Sequence, residues 1–201
     1  MVKAKFWAVL CLLLPLMACA EDYKEGKDYT VVSQVATSKP EVREFFSVLC
    51  SHCYHFESAV GELKAQLPEN VAFERTHVPF VGREVSPFYM RAFAVAQTIG
   101  QEQKLVAAMF KMAHVEKRFF QSEADVRAFF ISEGVAAEKY DSIAPSFAVE
   151  GMISEMASQT ADKKIMGVPA FLVNGKYLVR NESLKSYDDL IKLVNYLVTK
   201  S

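Results

Sequence analysis

The chain has 201 residues, of which 51% are apolar and 23% charged, with a formal net charge of −1 at pH 7. That is enough apolar material for one sizeable domain or two small ones, and it excludes a disordered or fibrous polypeptide. No segment is strongly basic, so nothing would neutralise a phosphate backbone and nucleic acid is not an expected partner.

The first twenty residues, "MVKAKFWAVLCLLLPLMACA", place Lys3 and Lys5 before an uncharged apolar stretch, Phe6 to Met17, that ends at Ala18-Cys19-Ala20. This is the pattern of an export signal (1–20) cleaved after Ala20. A spanning helix needs about 20 apolar residues, and this stretch is shorter and contains Pro15. "LMAC" also resembles a lipobox, which would make Cys19 a lipid-anchored first residue; Met17 and Pro15 weaken that match. Signal removal takes Cys11 and, on the first reading, Cys19 with it. Cys50 and Cys53 are then the thiols of the mature domain, and a structural disulfide framework is excluded.

Beyond a polar start, "TVVSQV" and "EVREFFSVL" have the β-branched and aromatic density of strands. The second, Val42 to Leu49, is apolar on nearly both faces, as suits the middle of a covered sheet. Cys50 opens a helical pattern in which Cys53, Phe56, Val60, Leu63 and Leu67 recur at spacings of three and four. "VAFERTHVPF", residues 71 to 80, predicts another strand. Between 83 and 161 four stretches carry helical periodicity with no strand among them: "SPFYMRAFAVAQTIG", "EQKLVAAMFKMAHVEK", "SEADVRAFFISEG" and "APSFAVEGMISEMASQTADKK". Ser122 with Asp125 has capping-box form, and Gly100 and Gly134 are placed as C-caps. "PAFLVNGKYLV" returns to strands, with Asn174-Gly175 as a type I′ hairpin, and a last helix starts at Ser186 and stripes Leu190, Val194 and Leu197. The division expected is a sheet domain of 21–82 plus 162–201, interrupted by a helical domain of 83–161.

The chemistry concentrates in "FFSVLCSHCYHFE", residues 45 to 57. A thiol at a helix start meets unpaired N–H groups and the positive end of the macrodipole, which favour a thiolate. Cys50 is therefore the expected nucleophile, with His52 beside it as a further charge or donor. Cys53, on the apolar stripe, is the shielded resolving partner of a redox-active disulfide. Zinc usually takes four ligands, and a single C-x-x-C with His55, His77 and His114 at no knuckle spacing does not supply them. Covalent haem would need histidine where Tyr54 stands. No metal or other cofactor is expected. Glu57 is turned towards the inner helix face, and Glu44 lies within the apolar strand that feeds Cys50. They could form a proton or water relay serving Cys53, or simply pair with Arg43, Lys64 or Arg75. Val168-Pro169 begins a strand, and base preference alone makes that bond trans.

These segments, in this order over nearly the whole mature length, resemble the DsbA family of bacterial thiol:disulfide oxidoreductases within the thioredoxin superfamily. The segments are "EFFSVLCSHCYHFE", "THVPF", the helical block, "GVPAFLVNGKY" and the terminal helix. The resemblance implies an α/β thioredoxin-like fold with an inserted helical domain. It implies a low-pKa Cys50, an oxidising Cys50–Cys53 disulfide, a cis Pro169 facing it, and Val168 offering backbone contacts to a bound peptide. It further implies a periplasmic, monomeric enzyme that donates disulfides to unfolded or reduced exported proteins and is reoxidised by a DsbB-type, quinone-linked membrane oxidase. Glu44 and Glu57 fall where the family keeps buried acids, and Arg75 stands where lysine is common. Ser51-His52 departs from the family's usual Pro-His, which puts the oxidising strength, rather than the reaction class, in question. Reductase or isomerase duty is the near rival, although isomerases usually add a dimerisation domain for which the segment before Thr30 has no room. A lipid-anchored binding or chaperone module with an incidental dithiol is the distant one.

Overall fold

The computed structural model describes residues 23–200; the expected export signal (1–20), with Cys11 and Cys19, lies outside the described residues. Five strands form one mixed sheet in the order β1-β5-β4-β2-β3: β1 (Tyr29–Val31), β2 (Glu41–Phe46), β3 (Ala72–His77), β4 (Ala170–Val173) and β5 (Tyr177–Val179). β2 and β3 run parallel, joined through helix α1 (Ser51–Gln66), and the other pairs are antiparallel. A parallel pair needs such a crossover, whereas β4 and β5 are joined directly by a hairpin. At that hairpin Asn174 and Gly175 both have positive φ, 52° and 63°, and the Lys176 amide donates to Val173 O at 3.0 Å. The type I′ turn expected from Asn-Gly is present, with Lys176 as an extra residue between the paired Val173 and Tyr177.

Between β3 and β4 lie five helices: α2 (Ser86–Thr98), α3 (Glu102–His114), α4 (Glu123–Ser132), α5 (Ala137–Ile143) and α6 (Phe147–Asp162). The chain closes with α7 (Tyr187–Thr199). α5 carries too short an apolar pattern to stand out in the sequence and is an addition to the expected elements. Ser122, Ser146 and Ser186 cap their helices by accepting the amides of Asp125, Val149 and Asp189. At Ser122 the acidic partner reaches one residue further back than a capping box requires, accepting from Gln121 N at 2.8 Å. Among the described residues no helix is long and apolar enough to cross a membrane.

β2 is buried on both faces, as its apolar run predicts, and alternate residues feed different cores. Phe45 packs with Val78, Ile165, Ala170 and Leu172. Val42 joins Val60 and Leu63 of α1 and Leu190, Val194 and Leu197 of α7. Phe46, Val48 and Cys53 share one core with Phe93, Phe110, Phe130 and other residues of the inserted helices. The buried member of the dithiol thus sits where sheet and insertion meet. Breaking that shared core, for example by Phe46→Ala, would cost about 3–5 kcal/mol.

Candidate active site

The predicted strand over Val42–Leu49 stops at Phe46, and the reason is local. Ser47 turns the chain: its carbonyl accepts the Cys50 amide at 3.0 Å and its hydroxyl accepts the Leu49 amide at 3.1 Å. Cys50 then occupies the N-cap of α1 in extended conformation, φ −89° and ψ 119°, with no side-chain oxygen to close the helix end. Opposite the turn, Gly82 has φ +84°, an angle that strains any other residue, and a Cβ there would lie 2.2 Å from Leu49 Cδ1 and force that side chain to shift.

Both cysteines are free thiols, Cys50 half-exposed and Cys53 fully buried. A hydrogen bond from the Cys53 thiol, the amides of Cys53 and His52, and the His52 charge stabilise the Cys50 thiolate against the effect of burial, bringing its pKa to about 6. The shared proton and burial push Cys53 far above the ordinary thiol range. Three residues along one helix therefore separate a sulfur that ionises readily from one that keeps its proton. Ser51 and His52 are exposed, and the Ser51 carbonyl contacts His55 Nδ1 at 2.7 Å.

The second wall is the loop before β4. The Val168–Pro169 bond is cis, against the trans preference of an ordinary X-Pro bond and as the family resemblance implies. Cys50 Sγ lies 3.5 Å from Val168 O, so the half-exposed sulfur and the loop face each other across the sheet end. Asn181, in the short 3-10 turn Asn181–Ser183, donates from Nδ2 to Pro169 O at 2.7 Å. Sequence reasoning missed Asn181; nothing local marks it. Beside it a recess of about 400 Å³ is lined by Phe56, Leu184, Lys185, Ser186 and Tyr187. It carries apolar surface from one turn beyond Cys53 to the start of α7.

The two acids meet on one cation. Parallel register sets Glu44 of β2 beside Arg75 of β3. Arg75 Nε approaches Glu44 Oε2 to 2.8 Å, and Arg75 Nη2 donates to Glu57 Oε1 at 2.6 Å. The guanidinium also lies 3.9 Å from the centre of the Phe46 ring. Of the three cations weighed from sequence, Arg75 is the partner; Arg43 instead meets Glu41 and Thr76, and Lys64 lies over Phe73. The Arg75–Glu44 contact is a charge pair without an in-line hydrogen bond, and no other hydrogen bond reaches the Glu44 oxygens. Burial therefore outweighs the arginine, and Glu44 is raised from 4.5 to about 7. For Arg75, burial opposes the charge, but the two carboxylates more than offset it and raise its pKa. Glu44 lies close enough to Cys53 for its charge to raise the thiol further.

The profile of the DSBA-like thioredoxin domain matches residues 41–192. The chain is 40% identical over 183 residues to the thiol:disulfide interchange protein DsbA of Haemophilus influenzae, covering 90% of this chain and 87% of that one. It is 35% identical over 208 residues to DsbA of Pectobacterium carotovorum, covering 99% of this chain and all of that one. Among solved structures, a Proteus mirabilis DsbA with a non-covalently bound peptide, PWATCDS, superposes with a TM-score of 0.82 at 35% identity, covering 89% of this chain and all of that one. A Pseudomonas aeruginosa DsbA gives 0.81 at 30% identity, over 89% of this chain and 98% of that one. The unequal thiol pair, the facing proline loop, the interrupted sheet and these likenesses agree, and the chain belongs to the DsbA-like thioredoxin family.

Proposed function

We propose that this chain is a thiol:disulfide oxidoreductase that introduces disulfides into exported proteins through Cys50 and Cys53. The observation that carries the reading is the pairing of a half-exposed Cys50 at the start of α1, 3.5 Å from Val168 O beside the cis Pro169, with a fully buried Cys53 one turn on. In the oxidised enzyme a substrate thiolate attacks Cys50 Sγ, the half-exposed sulfur. The Cys50–Cys53 bond breaks, and its electron pair leaves on Cys53, which takes up a proton. A second substrate thiolate then attacks the substrate sulfur of the mixed disulfide and expels Cys50 as a thiolate. Two electrons have passed from substrate to enzyme, and the substrate carries the disulfide. The low pKa of Cys50 makes it a good leaving group and draws the exchange towards the reduced enzyme.

Val168 offers backbone contacts and Pro169 shapes the loop against which an extended substrate segment lies. The peptide bound by the P. mirabilis relative supports a cysteine-containing segment as the ligand. Glu44, raised to about 7 and with its charge felt at Cys53, exchanges the proton that Cys53 gains and loses, while Glu57 acts through their shared Arg75. Ser51 and His52 tune Cys50. The functional units are the sheet domain, 21–82 plus 162–201, and the helical domain, 83–161. The setting is the periplasm, reached by cleavage after Ala20 or with a lipid on Cys19, which intact-mass measurement separates. Reoxidation falls to a DsbB-type quinone-linked membrane oxidase, and the working form is a monomer.

Equilibration with glutathione tests the reading. A reduction potential well above that of thioredoxin, about −270 mV, is expected. A value at or below it would assign the chain to reduction instead. Cys50→Ala abolishes disulfide transfer to reduced substrate; surviving rescue by that variant would favour a binding role.

A further inference from the structure

Both backbone hydrogen-bonding groups of Val48, a fully buried residue two before Cys50, are held by histidine rings from different parts of the molecule. The Val48 amide donates to His77 Nε2 at 3.1 Å. The Val48 carbonyl accepts from His114 Nε2 at 2.7 Å. His77 ends β3; His114 ends α3 in the helical insertion. Burial holds the His77 ring neutral, with its pKa lowered to about 3, so Nε2 accepts and Nδ1 donates to Val78 O at 3.1 Å. His114 stacks flat on Tyr54 of α1, with centroids 5.0 Å apart and planes 7° apart, and the Tyr54 amide donates to Cys50 O at 3.1 Å. The Ser47 amide, at the start of the same turn, faces the Cys53 sulfur and opposes the rise in its pKa.

We propose that His114 is a positioning residue through which the helical insertion sets the redox equilibrium of Cys50–Cys53, by fixing the Val48 carbonyl while His77 fixes the amide. This rests on the thiol–disulfide reading above. The clamp acts on the turn rather than on the sulfurs: it sets where the chain enters α1, and so how well the first-turn amides and Cys53 meet the Cys50 thiolate. An apolar side chain at 114 would also leave the buried Val48 carbonyl without a donor, which the turn would relieve by moving.

Two variants separate the hydrogen bond from the ring. His114→Phe keeps the stack on Tyr54 and removes the donor; His114→Gln supplies an N–H of similar reach without the ring. Each is equilibrated with glutathione, and Cys50 is titrated by thiolate absorbance. His114→Phe is expected to shift the equilibrium about tenfold towards the enzyme disulfide, about 30 mV for a two-electron couple, with the Cys50 midpoint moved upward. His114→Gln should stay within about threefold of the wild type. If His114→Phe matches the wild type within twofold while merely melting earlier, or if His114→Gln shifts as far as His114→Phe, the proposal is overturned. The wild type supplies a further test that no folding defect can obscure. Coupling is reciprocal, so the His114 Nε2 proton resonance must differ between oxidised and reduced protein, and identical shifts would overturn the assignment. A wild type that fails to equilibrate with glutathione at all would instead remove the underlying oxidoreductase reading.

Discussion

Glu44→Gln offers a direct test of the buried acid, because the substitution keeps the shape and removes the titration. In the folded protein Glu44 holds its proton to about pH 7, whereas an unburied carboxyl releases it near 4.5. A folded pKa above the unfolded value gives stability that is fully present below pH 4.5 and is lost as pH rises through 7. At about 1.36 kcal/mol per pH unit, that amounts to about 3 kcal/mol. The Cys50 thiol has the opposite sign, its folded pKa being lowered, and would mask part of the slope. The comparison is therefore best made in a Cys50→Ala background, with and without Glu44→Gln, by urea unfolding at pH 5, 6, 7 and 8. The protein retaining Glu44 should lose about 2–3 kcal/mol more than the Gln variant across that range, or about 1 M in midpoint for an ordinary urea dependence. All other titrating groups are common to both proteins and cancel. Parallel pH profiles would refute the reasoning and show that Arg75 keeps Glu44 ionised throughout.

Alkylation of the reduced protein by iodoacetamide should be half-maximal near pH 6 and confined to Cys50; a midpoint near pH 9 would remove the stabilised thiolate. The same lowered pKa means that the Cys50 contribution to the reduced form is lost as pH falls through about 6 and is complete above 9. Ser51→Pro, at the first position of α1, should stabilise the protein by about 0.4–1 kcal/mol through the unfolded chain, seen as a melting temperature a few degrees higher. A lower melting temperature would mean that the Ser51 amide is in use. Asn181→Ala, which removes the donor to Pro169 O, should cost about 1–2 kcal/mol and slow disulfide transfer; unchanged stability and rate would make that contact incidental. Gly82→Ala should be destabilising by more than about 1 kcal/mol in thermal melts, since its new methyl group meets Leu49 at a backbone angle that disfavours any side chain. Wild-type melting would show that Leu49 yields freely.

The unequal exposure and ionisation of Cys50 and Cys53 were legible because they depend on local facts: a turn after an apolar strand, then a stripe at helical spacing. The hairpin at Asn174-Gly175 and the serine caps are local in the same way. The strand end at Phe46 was misplaced because Val48 and Leu49 look like strand residues, while Ser47, which turns the chain, looks like nothing in particular. Arg75 could not be chosen over Arg43 or Lys64 without the β2–β3 register, which is not written in either strand alone. Asn181 and His114 act on backbone groups 12 and 66 residues away, and their side-chain chemistry is generic. The cis bond at Pro169 runs against local preference, and only the order of motifs along the chain pointed to it.

The vacant N-cap of α1 ties chemical state to secondary structure. Most helices carry their capping acceptor permanently, in a serine or aspartate worth about 1 kcal/mol. At Cys50 the group facing the first-turn amides is a sulfur that can carry a negative charge only while reduced, so handing a disulfide to a substrate sets an anion at a helix start that has no capping oxygen. Part of the work of oxidising another protein is thus drawn from this protein's own folding. A substitution that satisfied the same amides with a permanent oxygen would yield a sturdier fold and a feebler oxidant.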